Sequence, residues 1–206
     1  MSFFVREKVN LCVNSQKTAD KNWDNAVIYM QYTEQLSKTK LLKLLFLMEE
    51  YMVKRYHVPF MGLPFEIWQA GPVAKDIFID LSDGPFLLKD FVKTEVQKDA
   101  TYIRAIKPFC DDEFSDCEME MMDEIIRKYG KKTAKQLVAE VHKEGSLWFN
   151  AAKKHGLLTA FNKGLCNNSD YTIDFSEELS DCAREDYKES LAIHQTANIL
   201  KAQGYV

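Results

Sequence analysis

The sequence has few of the features that mark a secreted or membrane-spanning protein. No run approaches the ~18 consecutive apolar residues of a membrane span, and the N-terminal segment MSFFVREKVNLCVNSQ lacks the long apolar core of a signal peptide. The cysteines are odd in number and form no C-x-x-C pair, which predicts free thiols in a reducing compartment. They are Cys12, Cys110, Cys117, Cys166 and Cys182. We therefore expect a cytoplasmic protein with no membrane partner.

Sequence patterns of catalytic and cofactor-binding sites are also absent. There is no G-x-G-x-x-G and no G-x-x-x-x-G-K, so no phosphate-binding loop is predicted. The histidines stand in no metal-binding spacing such as H-E-x-x-H. They are His57, His142, His155 and His194. We therefore predict no catalytic residue, no metal and no other cofactor. Residues from distant positions can still meet in a fold, which leaves open an enzyme or small-ligand protein with a pocket near Trp68, His142 and Trp148.

Charge argues against a nucleic-acid partner but is unevenly distributed. The net charge is −4, and there is no clear recognition helix, so we disfavour a DNA-binding autoregulator. Residues 111–124 contain eight acidic and no basic residues, whereas residues 127–135 contain five basic and no acidic ones. Acids at the start of a helix and bases at its end would match the helix dipole. The same pattern would also suit a bipolar surface for a charged partner.

Hydrophobic periodicity predicts a mainly α domain (class α+β): a compact, multi-helix domain with one small antiparallel β-hairpin. Hydrophobic residues make up 46% of the 206 positions, enough for a sizeable core. About seven amphipathic segments have helical spacing. The most apolar, residues 38–56 after Ser37, is predicted to be the central helix, with Lys43 and Glu50 away from the core. Residues 92–96 and 102–106 predict the hairpin, whereas residues 86–91 fit a short helix or a strand.

The segment WQAGPVAKDIFIDL, residues 68–81, combines a turn with a predicted helix start. Pro72 suits the first position of a helix, because its ring fixes φ and its missing N–H is not needed there. Gly71 allows a sharp turn before it. Val73, Ile77 and Leu81 would then lie on one buried face. Trp68 fits either a packing anchor in the core or an anchor at an interface.

Several segments taken together resemble the Panacea domain, also described as the SocA-like antitoxin or phage-associated GepA-type domain. They are NAVIYM, LSKTKLLKLLFLMEEYM, WQAGPVAKDIF and YGKKTAKQLVAEVHKEGSLWFNAA. The residues that match the family pattern include Lys40, Lys43, Gly71, Pro72, Val73, His142 and Trp148. Two departures are that Ala70 lies closer to the Gly-Pro pair than usual and that Val141 replaces a frequent threonine. The resemblance covers residues 20–160.

The resemblance implies a helical, non-catalytic antitoxin from a bacterial or prophage toxin–antitoxin system. Members of this family neutralise a cognate protein toxin by binding it directly, and at least one kind acts instead as an adaptor that delivers its toxin to a protease. We divide the chain into an N-terminal extension (1–19), a Panacea-like domain (20–160) and a C-terminal loop and helix packed on that domain (161–206).

A rigid turn can present side chains to a partner at little ordering cost. We therefore predict that the toxin contacts the surface around the Gly-Pro turn. The predicted contact residues are Trp68, Gln69, Gly71, Pro72, Lys75 and Asp76.

Overall fold

The computed structural model describes residues 23–82, 84–98 and 100–203, so the predicted N-terminal extension lies outside the described residues. This part of the chain forms a mainly α fold with two small antiparallel sheets, which confirms the predicted class. The helices are α1 (Trp23–Tyr29), α2 (Lys38–Tyr56), α3 (Lys75–Asp80), α4 (Asp116–Tyr129), α5 (Ala134–Val141), α6 (Leu147–Lys154), α7 (Leu157–Asn162) and α8 (Asp181–Ala202). The strands are β1 (Glu66–Trp68), β2 (Gly71–Val73), β3 (Val92–Gln97) and β4 (Ala100–Ala105).

Helix α2 is the centre of the core, as predicted. Ser37 caps its N-terminus by accepting a hydrogen bond from the Lys40 backbone N–H. Helices α4 and α5 and strand β2 pack against it. Its leucine stripe is almost completely buried, including Leu41, Leu44 and Leu45. Because the helix is covered on most sides, its apolar residues occupy more of its surface than a single amphipathic stripe.

The prediction that Lys43 lies away from the core is wrong. Lys43 is 1% exposed, and its Nζ donates a hydrogen bond of 2.8 Å to the carbonyl oxygen of Pro72. A lysine at this position can be buried because strand β2 brings a carbonyl acceptor onto α2. Glu50, which was expected on the same outer face, is partly buried and pairs with Lys54 at 2.9 Å.

The hairpin of β1 and β2 is the second sheet, which the sequence did not predict. Ile67 pairs with Pro72, and Trp68 pairs with Gly71. Pro72 is therefore a strand residue and does not begin a helix; α3 starts only at Lys75. The φ of proline also fits an extended strand, and a two-stranded ribbon leaves an edge where its missing N–H costs no ladder bond.

The structure also shows the outcome of two other predictions for residues 68–91. Val73, Ile77 and Leu81 are all buried, but Val73 lies in β2 and not on the helix face that their spacing predicted. Residues 86–91 form neither a helix nor a strand, because the Asp80 carboxylate accepts the backbone N–H groups of residues 86–88 and holds them in a loop.

The predicted hairpin is present as β3 and β4, and it attaches to the start of α2. The Ile103 N–H donates to the Leu36 carbonyl at 2.9 Å, next to a bridge between Ser37 and Tyr102. Capping boxes are formed at Ser115 before α4 and at Thr133 before α5. Helix α5 ends at Val141, and His142 is its C-terminal cap.

The C-terminal part contributes to the same core. The Phe175 ring lies 5.5 Å from Phe46 and 5.9 Å from Phe65, centroid to centroid, and Tyr187 of α8 is buried. Gly156 links α6 to the short helix α7, which begins at Leu157. None of the helices in the described ranges combines the length and apolarity needed to cross a bilayer.

Candidate functional site

Three of the family-pattern residues converge on the turn between β1 and β2. Lys43 donates to the Pro72 carbonyl at 2.8 Å, and the indole N–H of Trp148 donates to the Trp68 carbonyl at 3.2 Å. The His142 Nε2 lies 3.0 Å from the Gln69 carbonyl oxygen. Side chains from α2, the end of α5 and α6 therefore hold one short segment of backbone. We call these three residues, Lys43, His142 and Trp148, the turn clamp.

The two ring nitrogens of His142 face carbonyl oxygens of two different elements, its own helix α5 and the turn. Its Nδ1 lies 2.6 Å from the Val138 carbonyl oxygen, and its ring packs 3.8 Å from the Trp148 ring, centroid to centroid. Both nitrogens thus face oxygens that only accept hydrogen bonds. A neutral imidazole donates to one of them at a time, whereas the imidazolium donates to both. The ring ties α5 to the turn by a hydrogen bond when Nε2, which faces the Gln69 carbonyl, carries a proton.

Gly71 is required by the closeness of this packing. Its φ is +96°, a conformation that favours glycine. A Cβ at this position would lie 2.9 Å from Lys43 Cε and 3.0 Å from Val141 Cγ2. The turn clamp thus depends on a residue without a side chain at its centre.

Replacing Gly71 by alanine is therefore expected to destabilise the protein through both backbone strain and crowding. Gly145 is a matched control, because its φ is +83° and nothing lies within 4 Å of the position of its Cβ. We expect G71A to lower the free energy of unfolding by about 1–3 kcal/mol more than G145A, since overpacking adds to the shared strain. Urea denaturation measures both variants. Equal losses of unfolding free energy in the two variants would show that a methyl group at position 71 causes no crowding.

The predicted contact residues divide into buried and exposed groups. Gly71 and Pro72 are buried, so they shape the turn and expose little surface to a partner. Trp68 is half-buried; its ring packs 4.9 Å from the Phe78 ring. Its indole N–H donates to Glu66 at 2.8 Å.

The exposed predicted residues are Gln69, Lys75 and Asp76. The Gln69 side chain donates to the Phe161 carbonyl at 3.1 Å. The Lys75 ammonium lies 3.2 Å from a Glu66 carboxylate oxygen and 3.3 Å from one of Asp170. These contacts hold the polar side chains over the turn while leaving them open to a partner.

The arrangement favours a structural role for the aromatic and histidine cluster over a ligand pocket. Trp68, His142 and Trp148 all direct their ring nitrogens to atoms of the chain itself. Within the described ranges, no three His, Cys, Asp or Glu residues are grouped so that they could hold a metal ion. The cluster therefore serves to hold neighbouring segments of the chain together.

Sequence reasoning missed that buried charges fix loops throughout this fold. Five charged side chains are buried among the described residues, and each bonds to main-chain groups. Lys40 donates to the carbonyls of Gly130, at 2.7 Å, and Glu34. Glu49 accepts the Met61 N–H at 2.8 Å. The other three are Lys43, Asp80 and Glu118. For Lys40 and Lys43 no sequence signal distinguishes the buried charge from a surface charge, because each bonds to a backbone carbonyl from a distant segment.

An open groove between α2 and α4 is a second surface feature. It has a volume of about 410 Å³ and is lined by residues that include Leu47, Tyr51, Arg55 and Tyr129. The Tyr51 hydroxyl donates to Glu124 at 2.6 Å. Burial and this hydrogen bond raise the pKa of Tyr51 to about 12, so the hydroxyl stays protonated as a donor.

A comparison with known families identifies the domain. A family model described as "Antitoxin SocA-like, Panacea domain" matches residues 41–149, more than half of the chain. The matched range contains the β1–β2 turn and the whole turn clamp, whereas Lys40 lies just before it. No curated protein and no solved structure matches this sequence. The chain therefore belongs to the family of SocA-like antitoxins with a Panacea domain.

Proposed function

We propose that this protein is the antitoxin of a toxin–antitoxin pair and neutralises a cognate protein toxin by direct binding in the cytoplasm. The observation that carries the proposal is that family-pattern residues of the matched domain hold the backbone of one turn in place. Lys43, His142 and Trp148 each direct a polar side-chain atom to a carbonyl oxygen of the turn. A domain whose family-pattern residues build a rigid surface is suited to binding.

The surface beside the turn clamp is our first candidate for toxin contact. The turn is held from three helices, so Gln69 is presented with little loss of conformational freedom on binding. Lys75 and Asp76 follow at the start of α3 and offer both signs of charge. Half-buried Trp68 can add contact area at the edge of this surface.

Co-expression with the neighbouring genes tests the function. Each adjacent open reading frame is induced alone and together with this protein in a heterologous bacterial host. We expect one of them to stop growth when induced alone and this protein to restore growth. If no neighbour is toxic, or if the toxic neighbour is not neutralised, the proposal is wrong.

The same experiment separates direct neutralisation from delivery to a protease. Under direct binding, the amount of toxin in rescued cells stays the same, and rescue persists in hosts that lack individual ATP-dependent proteases. Rescue that disappears in one protease-deficient host, with toxin accumulating there, would identify a proteolytic adaptor instead.

Substitutions at the exposed residues test the candidate surface. We expect Gln69→Ala, Lys75→Glu and Asp76→Lys to weaken toxin binding, with about 10-fold losses for the charge reversals because like charges would then face each other. Lys188→Glu, at an exposed position of α8, is the matched control. Growth rescue and affinity are measured after each variant has been shown to fold. If all three behave as wild type, the contact lies elsewhere, and the acidic residues 111–124 are tested next.

A further inference from the structure

The loop that follows α3 exposes two large apolar side chains next to each other. Phe86 is 75% exposed and Leu87 is 54% exposed, and Ile79 near the end of α3 is 53% exposed. Single exposed apolar residues are common on protein surfaces. Adjacent ones on a fixed backbone form a patch, and such patches mark interaction sites. We call Phe86 and Leu87 the apolar pair.

The backbone beneath the apolar pair is fixed from the inside of the protein. One oxygen of the buried Asp80 carboxylate accepts the N–H groups of Phe86 and Leu87, both at 2.7 Å. The other oxygen accepts the Leu88 N–H at 3.2 Å. Leu88 itself is fully buried, and its carbonyl accepts the N–H of Val92 at 2.9 Å. Hydrogen bonds to a carboxylate are among the stronger ones in proteins, so the pair is held outward before any partner binds.

The ammonium group of Lys89 lies beside the apolar pair. The Lys89 ammonium is 5.5 Å from the centre of the Phe86 ring. It forms no ion pair with a carboxylate in the described part of the chain, unlike Lys75 and Lys54. A partner that is complementary to this surface therefore has an apolar pocket with a carboxylate at its rim.

We propose that Phe86 and Leu87 insert into an apolar pocket of the cognate toxin and that a carboxylate at the rim of this pocket faces Lys89. This inference rests on the proposed antitoxin function and identifies an anchor of the contact. It extends the candidate surface along α3, where exposed Asp76 and Ile79 are three residues apart and share a helix face. Preorganised aromatic and aliphatic anchors are the usual hot spots of such interfaces.

The test compares the apolar pair with equally exposed apolar residues elsewhere. The variant Phe86→Ala/Leu87→Ala is compared with the control Val96→Ala/Leu165→Ala, whose side chains are 76% and 74% exposed in wild type. The probe is the purified product of the neighbouring toxic gene, and affinity is measured by isothermal titration calorimetry. We expect the first variant to lose about 100-fold in affinity, and the control less than about threefold. Lys89→Glu should lose about 10-fold, with the loss shrinking at high salt.

The outcomes separate this inference from the proposed function. Because both side chains are exposed, the melting temperature of Phe86→Ala/Leu87→Ala should match that of wild type. If wild type binds and neutralises the toxin and this variant does so equally well, the inference is wrong while the antitoxin function stands. If the substitutions instead convert a dimer to a monomer without changing toxin affinity, a second copy covers the pair, which also overturns the inference. If wild type does not bind the toxin, the proposed function fails first.

Discussion

Lys43→Met is expected to remove a rise in stability that the wild-type protein shows between about pH 7 and pH 9.5. Burial lowers the pKa of the Lys43 ammonium to about 7, because the charged form loses its contact with water. In the unfolded chain the same group titrates near pH 10.4. Between these values the unfolded chain carries a proton on Lys43 that the folded protein has released. The unfolded state therefore binds more protons, and the free energy of unfolding increases with pH.

The expected slope is up to about 1.4 kcal/mol per pH unit for this one group. Below pH 7 both states are protonated and the slope vanishes. The neutral amine still donates to the Pro72 carbonyl, so the turn clamp survives deprotonation. Methionine fills a similar volume without a titratable group, so the difference between wild type and Lys43→Met isolates the contribution of Lys43.

Urea denaturation at half-unit steps from pH 6 to pH 9.5 gives this difference, with Lys163→Met as the exposed control. Higher pH is avoided because burial raises the pKa of Tyr187, and its ionisation in the unfolded chain would lower stability. A difference that stays flat with pH would mean that Lys43 is charged or hydrated in the folded protein.

Leu45→Ala is expected to lower the free energy of unfolding by about 2–5 kcal/mol. Leu45 is completely buried in the middle of α2, where helices and a strand cover it on several sides. Deleting its side chain removes buried methyl groups and leaves a cavity that a covered helix cannot close.

Leu165→Ala makes the same chemical change at a site that is 74% exposed, and we expect less than about 0.5 kcal/mol there. Chemical denaturation and the melting temperature measure both variants. If Leu45→Ala had the same melting temperature as wild type, α2 would not be the centre of the core.

The elements that could be predicted from sequence are those fixed by nearby residues. Helix α2 follows from its cap at Ser37 and from a continuous apolar pattern. The start of α4 follows from the reciprocal bonds of Ser115 and Glu118, which lie three residues apart. Acids in the first turn of α4 and bases in its last turn agree with matching to the helix dipole.

The features that could not be predicted depend on partners far away in the sequence. Lys43 is buried because of a carbonyl 29 positions later, and His142 reaches a carbonyl 73 positions earlier. Pro72 fits both a helix start and a strand, and only pairing with Ile67 decides between them. The resemblance identified the clamp residues as important, but their common task becomes visible only when the turn between β1 and β2 is in place.

The direct measurement of the central claim is complex formation between this purified protein and the purified product of its neighbouring toxic gene. Size-exclusion chromatography with light scattering gives the stoichiometry, and calorimetry gives the affinity. We predict a defined complex with a submicromolar Kd, together with loss of toxin activity in a reconstituted system that contains no protease. Absence of a complex at micromolar concentrations, with growth still rescued in cells, would contradict neutralisation by direct binding.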